Sequence, residues 1–256
     1  MNNTYLNLVK TLFTRHSKLY NIKTESVILY IISLIAYILT PVFILLRFSP
    51  NLVTGINFII SIISIFCIIS LKNDLFFIGI LLYFIFRVLD FSDGIIARYN
   101  GISTFYGRFL DSILDIFIES FLILSISYFV FNIYLNPNIL IVGIITSIFS
   151  IYSTCIHDKY ASLVRWSNEE NKTEIIPYLR KNRVPRVGYT LLDLQHVLIF
   201  AMPFFLDNTF ILSKLFFTFI IITLSNYILN IFKHIFSAKK NLNINAKDKK
   251  LYTKNE

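Results

Sequence analysis

The sequence predicts an all-α fold: a polytopic membrane helical bundle with six core transmembrane helices plus an N-terminal interfacial or extra membrane segment. Three observations carry this expectation. Hydrophobic residues make up 55% of the 256-residue chain and the mean hydropathy is +0.66, above the apolar share of an ordinary soluble domain. Nearly uncharged runs at 52–70 and 209–232 match the roughly 20 residues that cross a bilayer's hydrocarbon core. No barrel-like alternation is present, so within lipid the backbone of these runs must satisfy itself in helices.

Polar breaks divide the chain into apolar segments near 26–47, 52–71, 75–98, 104–134, 137–165, 189–206 and 209–236. The residues before the first segment include Lys10, Arg15, Lys18 and Lys23 and show no small-residue cleavage site, and the run behind them is too long for a signal-peptide core. Segment 26–47 has no charge between Glu25 and Arg47. A seventh full crossing there would put the basic N-terminus outside, against the positive-inside rule, and Pro41 removes a backbone donor; an angled or interfacial helix is therefore the preferred reading over a further span.

The one substantial polar loop is 166–188. It and its flank carry Arg165, Lys172, Arg180, Lys181, Arg183 and Arg186, and the tail carries Lys233, Lys239, Lys240, Lys247, Lys249 and Lys250, so both are expected to be cytoplasmic. Counting back through alternating spans puts the breaks at 99–103 and 47–51 on the same inner side, with those at 135–138 and 207–208 outside. The organisation expected is a basic membrane-associated region at 1–50, a catalytic transmembrane domain at 51–236 and a basic tail at 237–256. The net charge of +9 gathers at the ends of apolar segments, which suits an anionic inner leaflet and gives no reason to invoke nucleic acid. Cys67 and Cys155 lie in apolar runs without metal-ligand spacing and read as small hydrophobes.

Within otherwise apolar sequence stands LDFSDGIIARYNGISTFYGRFLDSILD, residues 89–115, with aspartates at 90, 93, 111 and 115. Ionisable groups at membrane depth are costly and by default functional. Asp90 and Asp93 are three apart and Asp111 and Asp115 four apart, so each pair shares a helix face. The break at 99–103 turns the second helix back beside the first, and the two pairs can converge. Like charges so confined call for a cation, and all-carboxylate ligation favours Mg²⁺ or Mn²⁺ over zinc. Gly94 and Gly107 permit close approach, Ala97 leaves room for a flat group such as a nucleobase or ribose, and Arg98 offers a planar fork to phosphate oxygens. Acids that hold metal beside a phosphate clamp imply phosphoryl-type transfer.

These residues read D-x2-D-G-x2-A-R-x8-G-x3-D-x3-D, which resembles the signature of the CDP-alcohol phosphatidyltransferase family at all eight fixed positions. SPNLVTG, residues 49–55, resembles the P-N-x-x-T element that precedes that family's first core span. The resemblance implies that Asp90, Asp93, Asp111 and Asp115 ligate two divalent cations, and that Asp115 is also the general base on the acceptor hydroxyl. It further implies that Gly94, Ala97, Arg98 and Gly107 line the CDP site, with Asn51 and Thr54 at the nucleotide end, and it suggests a homodimer. The expected activity moves a phosphatidyl group from CDP-diacylglycerol to a small polar alcohol and releases CMP. One alternative transfers a headgroup phosphate from a soluble CDP-alcohol to a lipid alcohol; another, of a different class, is a cation- or proton-coupled transporter built on the same acids.

Outside the signature, Lys159 and Arg165 are candidates for an acceptor's phosphate, with ordinary boundary charges as the alternative. His157 and Asp158 are adjacent, and helical neighbours point to different faces, which argues against a catalytic pair. Arg87, one turn before Asp90, is expected to pair with it, and Glu119, one turn after Asp115, to support the acids. Asp193, Gln195 and His196 either face the same cavity or mark where a helix enters the membrane.

Overall fold

A computed structural model describes residues 2–15, 26–102, 104–170 and 186–241, all as helices and short turns. The helices are α1 (Asn2–Arg15), α2 (Val27–Leu45), α3 (Pro50–Ile69), α4 (Asn73–Asn100), α5 (Phe105–Tyr134), α6 (Pro137–Glu170), α7 (Arg186–Ala201) and α8 (Thr209–Asn241). There is no strand among the described residues. The centre of the long loop and the tail beyond Asn241 lie outside them, as do Lys18 and Lys23.

Among the described residues, six helices are long and apolar enough to cross a membrane: α2, α3, α4, and the stretches Phe109–Tyr134 of α5, Pro137–Val164 of α6 and Thr209–Lys239 of α8. The chain is an integral membrane protein. This set differs from the expected one in a single respect. The run expected at 189–206 is a shorter apolar stretch, Leu191–Phe205, and α2 has the length of a span instead. Pro203 supplies no backbone donor, and there α7 tightens into a 3-10 turn, Met202–Phe205.

The placement of α2 favours the interfacial reading. Its first turn is bonded to α7: Ser26 Oγ donates to Asp193 Oδ1 at 2.5 Å, and the Val27 and Ile28 amides donate to the same carboxylate at 3.0 Å each. Its later turns, through Leu39, Phe43 and Ile44, pack with Val53 near the start of α3 and with Leu89 and Ile96 near the end of α4. Both ends therefore meet the same half of the bundle. A helix of 19 residues is about 28 Å long, so one set parallel to its neighbours would reach the far half with one terminus. α2 runs unbroken through Pro41, and α1 lies on it, with Leu12 buried and Tyr5 Oη donating to Ile38 O at 2.6 Å. Asp193 thus serves as a cap for α2, satisfying amides that a helix start leaves orphaned.

The main core joins α4, α5, α7 and α8 through Phe76, Tyr83, Phe129, Ile199, Phe216 and Phe219. Phe76 and Phe129 have ring centroids 4.2 Å apart. Large apolar residues such as Ile59, Phe66, Ile148, Phe210 and Ile221 face outward, as lipid contact requires. In lipid the helices gain little from hydrophobic burial and depend on close backbone approach. Gly79 provides it between α3 and α4. A Cβ there would stand 2.6 Å from Ile68 Cγ1 and 2.9 Å from the Ser64 carbonyl oxygen, and Ser64 Oγ donates to Gly79 O at 2.7 Å. Gly143 does the same between α6 and α5, against Ser127.

Gly79→Val should cost about 1–3 kcal/mol through overpacking, read as a lower thermal midpoint of the detergent-solubilised protein. Gly55, where a Cβ would meet nothing within 4 Å, is the control: Gly55→Ala should leave the midpoint unchanged or slightly higher.

Candidate active site

The turn between α4 and α5 sets the site. Gly101 ends α4 in the left-handed region at φ 66°, where a side chain is strained, and the turn is closed by Ile102 N donating to Ala97 O at 3.1 Å. Thr104 then caps α5, its Oγ1 accepting from Gly107 N at 3.0 Å. α5 then runs back along the bundle, and its first turns bring the Asp111 and Asp115 carboxylates opposite that of Asp90 on α4. Gly107 therefore serves the cap; a Cβ there would stand 3.3 Å from the capping oxygen.

Carboxylate oxygens of Asp90, Asp111 and Asp115 lie within 4.8 Å of one another. Three hard oxygen donors at that spacing fit a divalent cation. Asp111 faces solvent, Asp90 is mostly enclosed and Asp115 lies between these extremes. Asp93 is set apart from this triplet. It is buried, and Thr54 Oγ1 donates to its Oδ2 at 2.6 Å. Of the four carboxylates expected to converge, three are thus at ligand distance of one another, and the fourth, Asp93, has one oxygen bonded to α3. The physical reason is that a buried carboxylate takes the nearest donor, and the first turns of α3 supply a hydroxyl. The PNxxT and DxxD elements are joined by that bond.

Gly94 and Arg98 form one unit. A Cβ on Gly94 would stand 3.3 Å from Arg98 Nη1, so the absence of a side chain leaves room for the guanidinium one turn later. Arg98 Nε is buried without a hydrogen-bond partner, and Ala97 beside it is half-buried. Asn51 is exposed in the first turn of α3. Lys159 is exposed on α6; the Arg165 side chain lies outside the described residues.

Three features of the site carry no signal strong enough to be read from the chain alone. Ser112 Oγ donates to Asp158 Oδ2, which ties the first turns of α5 to α6. His157 Nδ1 and Asp158 Oδ1 are 3.0 Å apart, so these neighbours do touch, although adjacent helical positions point to different faces. The His157 ring also meets that of His234 on α8, centroids 5.0 Å apart. Deeper in the bundle, Tyr227 Oη donates to Glu119 Oε1 at 2.9 Å, a pair 108 residues apart in sequence.

A bundle of membrane helices whose carboxylates gather at one end, beside a guanidinium with an unpartnered buried nitrogen, has the make-up of a phosphotransferase that works at the membrane surface. Residues 47–166, which span α3, α4, α5 and most of α6, match the family model described as CDP-alcohol phosphatidyltransferase, and this stretch of the chain is such a domain. That family transfers a substituted phosphate from a CDP-alcohol in phospholipid synthesis and uses divalent cations. No curated protein matches the chain.

Thr54→Val should leave Asp93 without its donor and cost about 1–3 kcal/mol of stability, measured as a lower thermal midpoint in detergent. Thr54→Ser, which keeps the hydroxyl, should recover most of that loss.

Proposed function

We propose that the protein transfers a phosphatidyl group from CDP-diacylglycerol to a small polar alcohol, releasing CMP, at a site on the cytoplasmic side of the membrane. The observation that carries this reading is the convergence of Asp90, Asp111 and Asp115 at the α4–α5 turn, beside Arg98 and the Thr54–Asp93 bond. The acids Asp90, Asp93, Asp111 and Asp115 would hold two divalent cations, Mg²⁺ or Mn²⁺, which when bound neutralise pyrophosphate charge. The catalytic unit is 51–236, flanked by the basic regions 1–50 and 237–256, and the assembly is a homodimer.

Each residue then has a task set by its place. Arg98, with its unpartnered Nε and its guanidinium lying over Gly94, binds phosphate oxygens as a planar fork. Gly94 and Ala97 leave the α4 face low enough for the nucleotide, and Asn51, exposed at the start of α3, reaches its far end. Asp115, partly open to solvent and one turn behind Asp111, takes the proton of the acceptor hydroxyl. The hydroxyl oxygen forms a bond to the phosphorus that carries diacylglycerol, the pyrophosphate P–O bond breaks, and CMP leaves with the electron pair. Gly107 and Thr104 fix the start of α5, so that Asp111 and Asp115 stay in register with Asp90.

Basic residues support the orientation. Arg47, Arg98, Lys159, Lys233 and Lys239 lie at the site end of their helices, as the positive-inside rule requires of a cytoplasmic face. On that face a soluble acceptor arrives from water, while CDP-diacylglycerol enters sideways from lipid. Lys159 lies on α6, whose site end is bound to α5 through Ser112 and Asp158, and would meet an acceptor's phosphate together with Arg165.

The purified protein in detergent with Mn²⁺ or Mg²⁺ should release labelled CMP from CDP-diacylglycerol when the correct alcohol is present. EDTA should abolish that release. A panel of glycerol phosphate, serine, inositol and inositol phosphate identifies the acceptor. Release of CMP only from soluble CDP-alcohols given a lipid alcohol would reverse the assignment of the lipid substrate, and cation flux without any CMP would favour a transporter. Asp115→Asn should lower turnover by about 10²–10⁴-fold, the range of a lost general base, with nucleotide binding retained; turnover comparable to the parent protein would remove Asp115 from that role.

A further inference from the structure

We infer that Arg87 is a positioning residue for the acidic centre and that Glu119 and Tyr227 hold it there from inside the bundle. The inference rests on the reading above, in which Asp90 and Asp115 are cation ligands. Arg87 Nη1 stands 3.9 Å from Asp90 Oδ2 and 3.8 Å from Asp115 Oδ1, so a single nitrogen lies between the first acid of α4 and the last acid of α5. These are ion-pair separations longer than hydrogen bonds. The cation restrains both carboxylates without occupying their oxygens, which stay free for a ligand on the solvent side.

Behind the arginine lies a buried polar layer. Arg87 Nε is buried with no hydrogen-bond partner, and Tyr83, one turn earlier on α4, is buried beside it. Glu119, one turn past Asp115 on α5, lies within electrostatic reach of the guanidinium. Glu119 is itself held by the Tyr227 hydroxyl at 2.9 Å, with Gln195 of α7 alongside. A planar cation with acid on either side has one favourable position. Removing it leaves Asp90 and Asp115, on separate helices, with uncompensated like charge. Tyr227 and Gln195 lie past residue 166, where the family match ends, so α7 and α8 support a centre built by α4 and α5.

Mn²⁺ binding to the purified protein, followed by electron paramagnetic resonance of the free ion, separates this role from a direct contact with substrate. Arg87→Met should weaken Mn²⁺ binding by about 10–100-fold, the range of a lost group that orients metal ligands, and should lower kcat with little change in KM for the CDP donor. Arg87→Lys should recover part of both losses. Tyr227→Phe, which removes only one oxygen, should shift Mn²⁺ affinity in the same direction and by less, and adding it to Arg87→Met should bring no further loss. Should Arg87→Met not fold, Arg87→Lys and Tyr227→Phe decide the matter. Mn²⁺ affinity unchanged or tighter in the folded variants would overturn the inference, as would a raised donor KM with kcat preserved, which would make Arg87 a phosphate contact. A parent protein that neither binds Mn²⁺ nor releases CMP would overturn the proposed function instead.

Discussion

Carboxylates gathered in a poorly hydrated space at the end of a helix bundle must each be given a compensating partner, and much of the local structure answers that requirement. Asp93 takes the Thr54 hydroxyl at 2.6 Å. Asp90 and Asp115 share the Arg87 guanidinium, and Glu119 takes the Tyr227 hydroxyl. Asp158 accepts from Ser112 and meets His157. Each pairing joins or braces different helices, so compensating the acids also fastens α3, α4, α5, α6 and α8 to one another at the site end. The polar interior is costly if half satisfied and rigid when satisfied, and a rigid cradle is what phosphoryl transfer demands of residues that position and neutralise.

The cradle depends on a turn and on two close helix crossings. Gly101 and Thr104 reverse the chain within a few residues, which keeps the acids of α4 and α5 at the same depth. Farther along the helices, Gly79 lets α3 approach α4 and Gly143 lets α6 approach α5. Those crossings hold α3, with Thr54 on Asp93, and α6, with Asp158 on Ser112, against the helices that carry the acids. The two flanks divide the labour in the proposed reaction, nucleotide toward α3 and acceptor toward α6.

α2 shows how charge and packing decide what hydropathy leaves open. Its 19 apolar residues would suit a crossing. Its first turn is bonded to Asp193 on α7 and its last turns rest on the starts and ends of α3 and α4 near the site. Lying across that half, it covers the outer faces of Val88, Leu89, Ile95 and Ile96, directly behind the acids of α4.

The order of residues along the chain is enough for the class of fold, the location of the acids and their grouping in pairs. Long apolar runs in lipid admit only helices, and i,i+3 and i,i+4 spacing fixes which side chains share a face. The spacing of Asp90, Asp93, Asp111 and Asp115, with Gly94, Ala97, Arg98 and Gly107, was enough to indicate a family, because helical geometry converts local order into a shared face. What spacing along one chain does not contain is the partner across a helix interface. That Asp93 turns to Thr54 while the other three acids converge, that Asp193 caps α2, and that Tyr227 reaches Glu119 across 108 residues were all decided by tertiary packing. In each case the outcome turns on which donor lies nearest once the helices have met.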